Sequence, residues 1–280
     1  MHTTIINAQN PLLKDFIQSY IFFDINGHQP VEYTTFPNTN LCLALYKNNQ
    51  INYLSDEYNN RCSVTYSEKY FQSRLYAFHQ RPFEVNINSA VDQVCILFYP
   101  GALRAFTGEA YQSILDTDHA FEVIFPMCAG FLSRLFNEES ISKRVSLIEG
   151  LLLEKLTRKP NSRIIESLLL ISANGKNEFR VEQLANKMMM NTSTLYRLFS
   201  SELGISPKAF LQTSRFRDAL GQLISAKYVN LNDVANENNY YDLSHFTKEI
   251  KSLSGKSPKI LKKEISVEQS QLAWIYYGEK

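Results

Sequence analysis

The sequence predicts an α+β protein of two domains, with a β-rich N-terminal half and an all-α C-terminal half. Residues 18–99 alternate short aromatic and β-branched runs with turn-forming gaps, which is typical of β-strands. From Pro100 onward the apolar residues recur at helical spacing, and two later segments share one helical pattern. A length of 280 residues agrees with about two domains.

Six runs in the first half are predicted to be β-strands. They cover residues 20–25, 41–46, 62–66, 74–78, 83–87 and 94–99. The gaps between them include NGHQP, KNNQ, SDEYNN and HQRP, whose Gly, Pro, Asn and Asp residues favour turns. Strands that follow one another at intervals of about ten residues indicate a β-sandwich or a small barrel.

A helical segment at residues 100–157 is predicted to complete this domain, with helices at 127–136 and 140–156. The second helix carries an apolar stripe at spacings of three and four, formed by Ile141, Val145, Ile148 and Leu152. Such a stripe packs either on its own domain or against a second subunit. Because two-fold dimers are the commonest oligomers, we expect a homodimer and leave its interface open.

The polar segment 157–161 contains a proline and is the predicted linker, so the domains are residues 1–160 and 161–280. A helix at 161–173 is predicted to lead into the second domain. The first domain has a net charge of −3 and the second of +4, although the whole chain has only +1. A basic excess of this size suits a nucleic-acid partner but predicts weak non-specific affinity.

The second domain contains two versions of one segment, at residues 185–207 and 235–258. Equivalent positions hold Ala185 and Ala235, Leu195 and Phe246, Phe199 and Ile250, Gly204 and Gly255, and Pro207 and Pro258. Each copy predicts a short helix, a turn and a longer helix that begins after an N-cap residue and ends at a glycine. This pattern is a duplicated helix-turn-helix, at about 180–204 and 230–255, joined by a helix at 207–225.

The exposed faces of the two longer helices are predicted to bind DNA, because short hydroxyl and basic side chains suit base edges and phosphates. A helix-turn-helix places its second helix in the major groove. The candidate residues on the first copy are Thr192, Ser193, Thr194, Tyr196, Arg197 and Ser200. Those on the second copy are Ser244, His245, Thr247, Lys248 and Lys251.

Residues 176–264 resemble the DNA-binding domain of AraC/XylS-type bacterial transcription regulators. The resemblance lies in Leu231, Val234, Ala235, Asn239, Tyr240, Phe246, Ile250, Gly255, Ser257 and Pro258. Asn239 stands where the family usually has Gly, and Ile250 replaces an aromatic residue; Asn tolerates positive φ, so the turn is expected to survive. The resemblance implies double-stranded DNA and RNA polymerase as partners, and a cupin-like β-domain controlled by a small-molecule effector.

Four residues of the first half are candidates for effector binding, namely Phe36, Tyr46, His79 and Arg81. Ligand pockets are largely apolar with a few polar groups, which fits this aromatic-rich region. Most aromatic residues at strand positions form the core instead, so both interpretations stay open. No residue pattern indicates which effector is bound.

The alternative function is a metal-dependent cupin-type enzyme fused to a helical domain. Its chemistry requires clustered His and carboxylate ligands. The histidines are His2, His28, His79, His119 and His245, and none forms an HxH or HxxxH pair. No GxSxG, P-loop or GxGxxG motif is present. We therefore expect no enzyme activity, no metal and no cofactor.

The composition, 44% hydrophobic and 20% charged, is ordinary for a globular protein. The N-terminal segment has no basic n-region, and no apolar run approaches the ~18 residues of a membrane span. The cysteines Cys42, Cys62, Cys95 and Cys128 are widely spaced and form no CxxC pair. We expect a protein with reduced thiols in the cytoplasm.

Overall fold

The protein is described by a computed structural model that covers residues 2–26, 30–56, 60–173, 180–225, 230–268 and 272–276. A curled β-sheet occupies most of the first hundred residues, and helices follow it to residue 264. The predicted α+β class is therefore confirmed. His28 and part of the predicted NGHQP turn lie outside the described residues.

The described strands belong to one sheet. They are β1 (His2–Asn7), β2 (Ile17–Ile25), β3 (Val31–Thr35), β4 (Leu41–Ser55), β5 (Asn60–Tyr76), β6 (Phe83–Ile87), β7 (Val91–Phe98), β8 (Ser266–Glu268) and β9 (Leu272–Tyr276). Their order across the sheet is β1-β2-β7-β4-β5-β6-β3-β9-β8. Neighbouring strands are antiparallel, except that β5 and β6 are parallel. The expected sandwich thus takes the form of a single sheet that curls on itself.

The central strands are apolar on both faces because each face is covered. Along β4, Leu43 and Leu45 belong to one buried cluster, while Ala44 and Tyr46 belong to another. Successive side chains of a strand point to opposite faces, so the first cluster lies on the face that packs against the helices after β7. The second cluster lines the inside of the curl.

One predicted turn and two predicted strands differ from the structure. KNNQ is no turn: β4 continues through it with a bulge, where Asn48 has a φ of 55° and the register shifts between Lys47 and Asn49. Asparagine tolerates this left-handed conformation, which lets one long strand bend without ending. The predicted strands 62–66 and 74–78 are likewise joined in the single strand β5, which ends at Tyr76, two residues before the second prediction ends.

The segment after β7 contains the 3₁₀-helix Ala102–Ala105 and four α-helices. These are α1 (Tyr111–Leu115), α2 (Ala120–Ile124), α3 (Phe131–Asn137) and α4 (Ile141–Lys155). The helix predicted at 127–136 begins later because Met127 and Gly130 have φ values of 64° and 76°. The apolar stripe of α4 is buried in its own domain's core, with Val145, Ile148 and Leu152 fully covered. The homodimer stays a prediction, and this stripe is not free to form it.

Among the described residues between 162 and 264, seven helices follow. They are α5 (Ser162–Ala173), α6 (Val181–Lys187), α7 (Thr192–Leu203), α8 (Pro207–Ser225), α9 (Leu231–Glu237), α10 (Leu243–Ser254) and α11 (Pro258–Glu264). The joining helix α8 has the predicted bounds and contributes to two cores. Phe210 and Leu211 pack with α5 to α7, whereas Phe216, Leu220 and Leu223 pack with α9 to α11.

The chain returns to the sheet after α11. Strand β9 pairs antiparallel with β3, with Tyr33 opposite Tyr276 and Thr35 opposite Trp274 in the backbone register. Sequence reasoning did not predict β1, β3, β8 or β9. The C-terminal segment thereby connects the helical half to the sheet by backbone hydrogen bonds.

Candidate DNA interface and ligand cavity

The two longer helices of the duplicated motif begin and end in the same way. Asn191 Oδ1 accepts a hydrogen bond from the backbone N–H of Thr194 at 2.8 Å, and Asp242 Oδ1 accepts one from His245 at 2.7 Å. At the other end, Gly204 and Gly255 both have a φ of 72°. These local features orient α7 and α10 equivalently with respect to their own short helices.

The turns of the two copies also have the same backbone path. Asn239 has a φ of 54° and Met189, at the equivalent position, a φ of 51°. In each copy the backbone N–H of the residue that follows donates a hydrogen bond to the carbonyl of the equivalent alanine of the short helix, Met190 to Ala185 at 3.0 Å and Tyr240 to Ala235 at 2.9 Å. The expected positive φ at Asn239 is therefore confirmed, and the first copy adopts it with a methionine.

The apolar faces of α7 and α10 are buried, so the opposite faces point outward. Leu195, Phe199, Phe246 and Ile250 are completely covered. Every candidate DNA-binding residue is exposed or half-buried, namely Thr192, Ser193, Thr194, Tyr196, Arg197, Ser200, Ser244, His245, Thr247, Lys248 and Lys251. Arg197 Nη2 lies 3.5 Å from Thr194 Oγ1, to which it donates.

One acidic residue of α10 was missed by sequence reasoning. Glu249 is only 8% exposed, and its carboxylate accepts hydrogen bonds from Arg215 Nε at 3.1 Å and from Arg215 Nη2 at 3.3 Å. His245 Nε2 lies 3.8 Å from the same carboxylate, and Gln212 Nε2 donates to it at 3.3 Å. The four-residue spacing of His245 and Glu249 was the available sequence signal, because it places both on one side of the helix.

A cavity of about 140 Å³ lies on the inner face of the curled sheet. Phe36, Tyr46 and His79 line it, whereas Arg81 does not: its guanidinium donates to the backbone carbonyl of Asp56. Arg217 of α8 also lines the cavity, and nothing in the local sequence distinguishes it from an exposed helical arginine.

Apart from Arg217, the polar groups of the cavity wall are uncharged. Tyr46 and Tyr76 share a hydrogen bond of 3.0 Å between their hydroxyls, and burial raises the pKa of both well above its usual value. Burial raises the pKa of the Cys62 thiol to about 11, so this thiol is protonated and unreactive at neutral pH. Burial lowers the pKa of His79, partly offset by the hydrogen bond of its Nδ1 to the Arg81 carbonyl, so its imidazole is neutral.

Metal-binding clusters and membrane-spanning helices are both absent from the part of the chain that the structure describes. No group of three or more His, Cys, Asp or Glu side chains there could hold a metal ion. No helix within the same ranges is long and apolar enough to cross a membrane.

Comparisons with known proteins match both halves of the chain. A family model described as "Helix-turn-helix domain" matches residues 184–264, and one described as "Domain of unknown function (DUF6597)" matches residues 9–120. An "Uncharacterized HTH-type transcriptional regulator" of Haemophilus influenzae is 30% identical over 107 residues, which cover 38% of this chain and 36% of that protein. The HTH-type transcriptional regulator AlkR of Acinetobacter baylyi is 31% identical over 104 residues, 37% of this chain and 34% of AlkR. The chain thus aligns with about a third of each curated relative.

Residues 184–264 are an AraC/XylS-type helix-turn-helix domain. Among solved structures, ToxT from Vibrio cholerae aligns with a TM-score of 0.46 and 9% identity, over 87% of this chain and 97% of that chain.

The AraC/XylS-type domain contacts the N-terminal half at the end of α7. Arg104 donates to the carbonyl of Ser201 from Nε at 3.2 Å and from Nη2 at 2.9 Å, and Tyr111 Oη donates to the carbonyl of Glu202 at 3.0 Å. The Tyr111 ring covers Gly204, where an added Cβ would lie 3.1 Å from the ring. These bonds satisfy backbone carbonyls that the helix end leaves without an intrahelical partner.

A second contact between the two halves is made at α8. Phe36, in the loop between β3 and β4, lies in the buried core of α8 to α11, and its ring centroid is 6.5 Å from that of Phe216. Phe78 meets Phe210 in the same edge-to-face manner at 6.2 Å. The joining helix of the AraC/XylS-type domain is therefore packed against the segments that surround the cavity.

Proposed function

We propose that the chain is a sequence-specific DNA-binding regulator of transcription, controlled by a small molecule bound in the cavity of its β-sheet. Sequence-specific DNA binding is supported by two equivalent helices, α7 and α10, which expose hydroxyl and basic side chains. Glu249, which would repel phosphate, is instead buried against Arg215. The outer face of α10 therefore presents His245, Lys248 and Lys251 to a polyanion.

The length of α8 suits two contacts in successive major grooves. Its 19 residues span roughly 28 Å at 1.5 Å per residue, which approaches the ~34 Å between major-groove faces on one side of DNA. Each subunit then places one recognition helix in each groove. Two different exposed faces predict two different short boxes in each half-site, and a homodimer would bind two such half-sites.

The control by a small molecule rests on where the cavity lies. It is lined by the sheet, by Arg217 of α8 and by Phe36, which packs against Phe216 of α8, so an occupant would lie next to the helix that joins the two helix-turn-helix units. RNA polymerase is proposed as the partner through which bound protein changes transcription.

Selection of bound sequences from a random duplex pool tests the proposal with the full chain. We expect enrichment of a site with two boxes, and a loss of discrimination in Arg197→Ala. Arg163→Ala removes an equally exposed arginine from α5, outside the recognition helices, and serves as the matched control. Circular dichroism shows whether the protein is folded. If folded protein enriches a pool without any common sequence, sequence-specific binding is contradicted.

A further inference from the structure

The first residue of α10 is a partly exposed leucine. Leu243 is 36% exposed, and Tyr241, two residues earlier, is 91% exposed. Among the described residues from 230 to 254, these are the two large hydrophobic side chains that face solvent to this degree. Single hydrophobic residues on a surface are ordinary and need no function. What this pair does therefore depends on its place in the helix-turn-helix.

Leu243 and Tyr241 lie at the end that a recognition helix presents to the bases. In a helix-turn-helix, the N-terminal residues of the recognition helix contact base edges in the major groove. Asp242 caps α10, so Leu243 is its first residue. Tyr241 precedes the cap, where a hydrophobic side chain often packs against the fourth helical residue. That residue, Phe246, packs instead against the Tyr240 ring, with centroids 5.1 Å apart, and Tyr241 stays in solvent.

His245, on the same turn of α10, is exposed, but both of its ring nitrogens face protein groups. Its Nδ1 accepts a hydrogen bond from the backbone N–H of Tyr241 at 3.4 Å, and its Nε2 lies 3.8 Å from the Glu249 carboxylate. A neutral imidazole has one donor and one acceptor nitrogen, so both functions are used within the domain. His245 therefore supports the turn, and base reading at this end of α10 is left to its neighbours.

Two of these neighbours form a strip with apolar character. Leu243 and Thr247 are four residues apart, so they lie on one side of the helix. The leucine side chain and the threonine methyl group offer no hydrogen bond along this strip. Asn and Gln, which read adenine through two hydrogen bonds, are absent from α10 (Leu243–Ser254). Thymine is the base that presents a methyl group in the major groove, so the strip matches thymine better than any other base.

The first copy carries different chemistry at the equivalent positions. Thr192 corresponds to Leu243, and Arg197 corresponds to Lys248. The guanidinium of Arg197 can donate two hydrogen bonds to guanine, which is the commonest specific contact in the major groove. The two recognition helices thus differ in kind, because α7 offers a pair of hydrogen-bond donors and α10 begins with apolar surface. The two boxes that they read should differ in the same way.

We propose that Leu243 determines specificity by contacting the C5 methyl group of a thymine in the box that α10 reads, and that the Thr247 methyl group extends this contact. This inference rests on the proposed sequence-specific DNA binding, and it names the base that one box requires. Cytosine lacks the methyl group, and a purine presents polar groups at this edge. The exposed part of Leu243 leaves water on contact with thymine, which favours that base.

Replacement of thymine by uracil tests the contact, because uracil pairs as thymine does and lacks only the methyl group. Fluorescence anisotropy with the full chain measures affinity for the selected duplex, in which each thymine is replaced in turn. We expect a loss of about fourfold at one or two thymines, which is the effect of one buried methyl group. If the selected duplex tolerates uracil at every thymine, the proposal is overturned.

Variants assign the effect to Leu243. Leu243→Ala should abolish the uracil effect in one box, and Leu243→Met, which keeps a long apolar side chain, should retain it. Thr192→Ala changes the equivalent position of α7 and should leave that box as it is. Leu169→Ala removes a leucine that is 64% exposed on α5, outside the recognition helices, and should change nothing. A uracil effect of unchanged size in Leu243→Ala would overturn the assignment.

Folding and the two levels of the proposal are separated on the same samples. Circular dichroism checks that each variant is folded. If Leu243→Ala does not fold, Leu243→Gln takes its place, and it should lose the uracil effect and prefer adenine at that position. A uracil effect that persists in Leu243→Gln overturns the proposal. If selection with the natural chain yields no common sequence, the proposed function itself fails; if it yields one whose thymines tolerate uracil, only this inference fails.

Discussion

Arg215 of α8 donates two hydrogen bonds to Glu249 of α10, which connects the joining helix to the second recognition helix. The carboxylate is almost fully buried and the guanidinium is a quarter exposed. The Arg215 guanidinium also lies over the Tyr240 ring, 5.0 Å from its centroid. This pair therefore adds a polar contact to the apolar core that Phe246, Ile250 and Leu253 of α10 share with α8.

Glu249→Ala is expected to destabilise the protein by about 2–3 kcal/mol, less than a fully buried pair because Arg215 keeps some contact with water. Denaturant unfolding measures the loss. Glu166→Ala breaks the exposed pair that Arg163 forms on α5, and it should cost about 0.5 kcal/mol or less. Equal costs for the two variants would show that the pair with Arg215 is no stronger than a surface pair.

Met189→Gly should stabilise the first helix-turn-helix by about 0.5–1 kcal/mol, because a residue with a Cβ is strained at a φ of 51°. Met189 is 85% exposed, so little packing is lost. Lys187→Gly, two residues earlier in α6, should instead cost about 1 kcal/mol, since glycine weakens a helix. If thermal unfolding shows that Met189→Gly gains stability and Lys187→Gly loses it, the strain is confirmed. A loss of stability in both variants would refute it.

Arg197→Ala should reduce discrimination between bases and cost about 1–3 kcal/mol of binding free energy on the selected site only, which is the usual contribution of a bidentate base contact. Lys251→Ala should weaken all sequences alike and lower the salt-dependence slope by about one unit, because it lies late on α10, where we expect it to meet a phosphate rather than a base. Fluorescence anisotropy over a range of salt concentrations separates the two effects. If both variants lose the same affinity on every sequence, the assignment of a base contact to Arg197 and a phosphate contact to Lys251 is refuted.

Exchanging the outer face of α10 for that of α7 should change base preference at one box and leave the other unchanged. The substitutions are His245→Thr, Thr247→Tyr, Lys248→Arg and Lys251→Ser, which follow the equivalence of the two copies. All four positions are exposed or half-buried, so the fold should tolerate them. Footprinting measures the outcome. If each subunit protects a single box, or if the exchange has no effect, α10 does not contact bases and only packs within the domain.

The helical half could be predicted from the sequence because its signals are local. The bounds of α8, the caps Asn191 and Asp242, and the glycines that end α7 and α10 all depend on residues a few positions apart. Asn239 could be assigned a positive φ for the same reason. The equivalence of the two copies was likewise visible in the order of their apolar residues.

The remaining features were decided by contacts between distant segments. Asn48 bends β4 instead of ending it because β5 continues to pair on both sides of the bulge. Phe36 lies in the core of α8 to α11, which is distant from it in the chain, and β9 pairs with β3 across more than two hundred residues. Arg217 faces the cavity only because α8 packs against the sheet. Periodicity and capping specify where a helix forms, but they carry no information on which distant surface will cover each side of it. That packing determines the cavity.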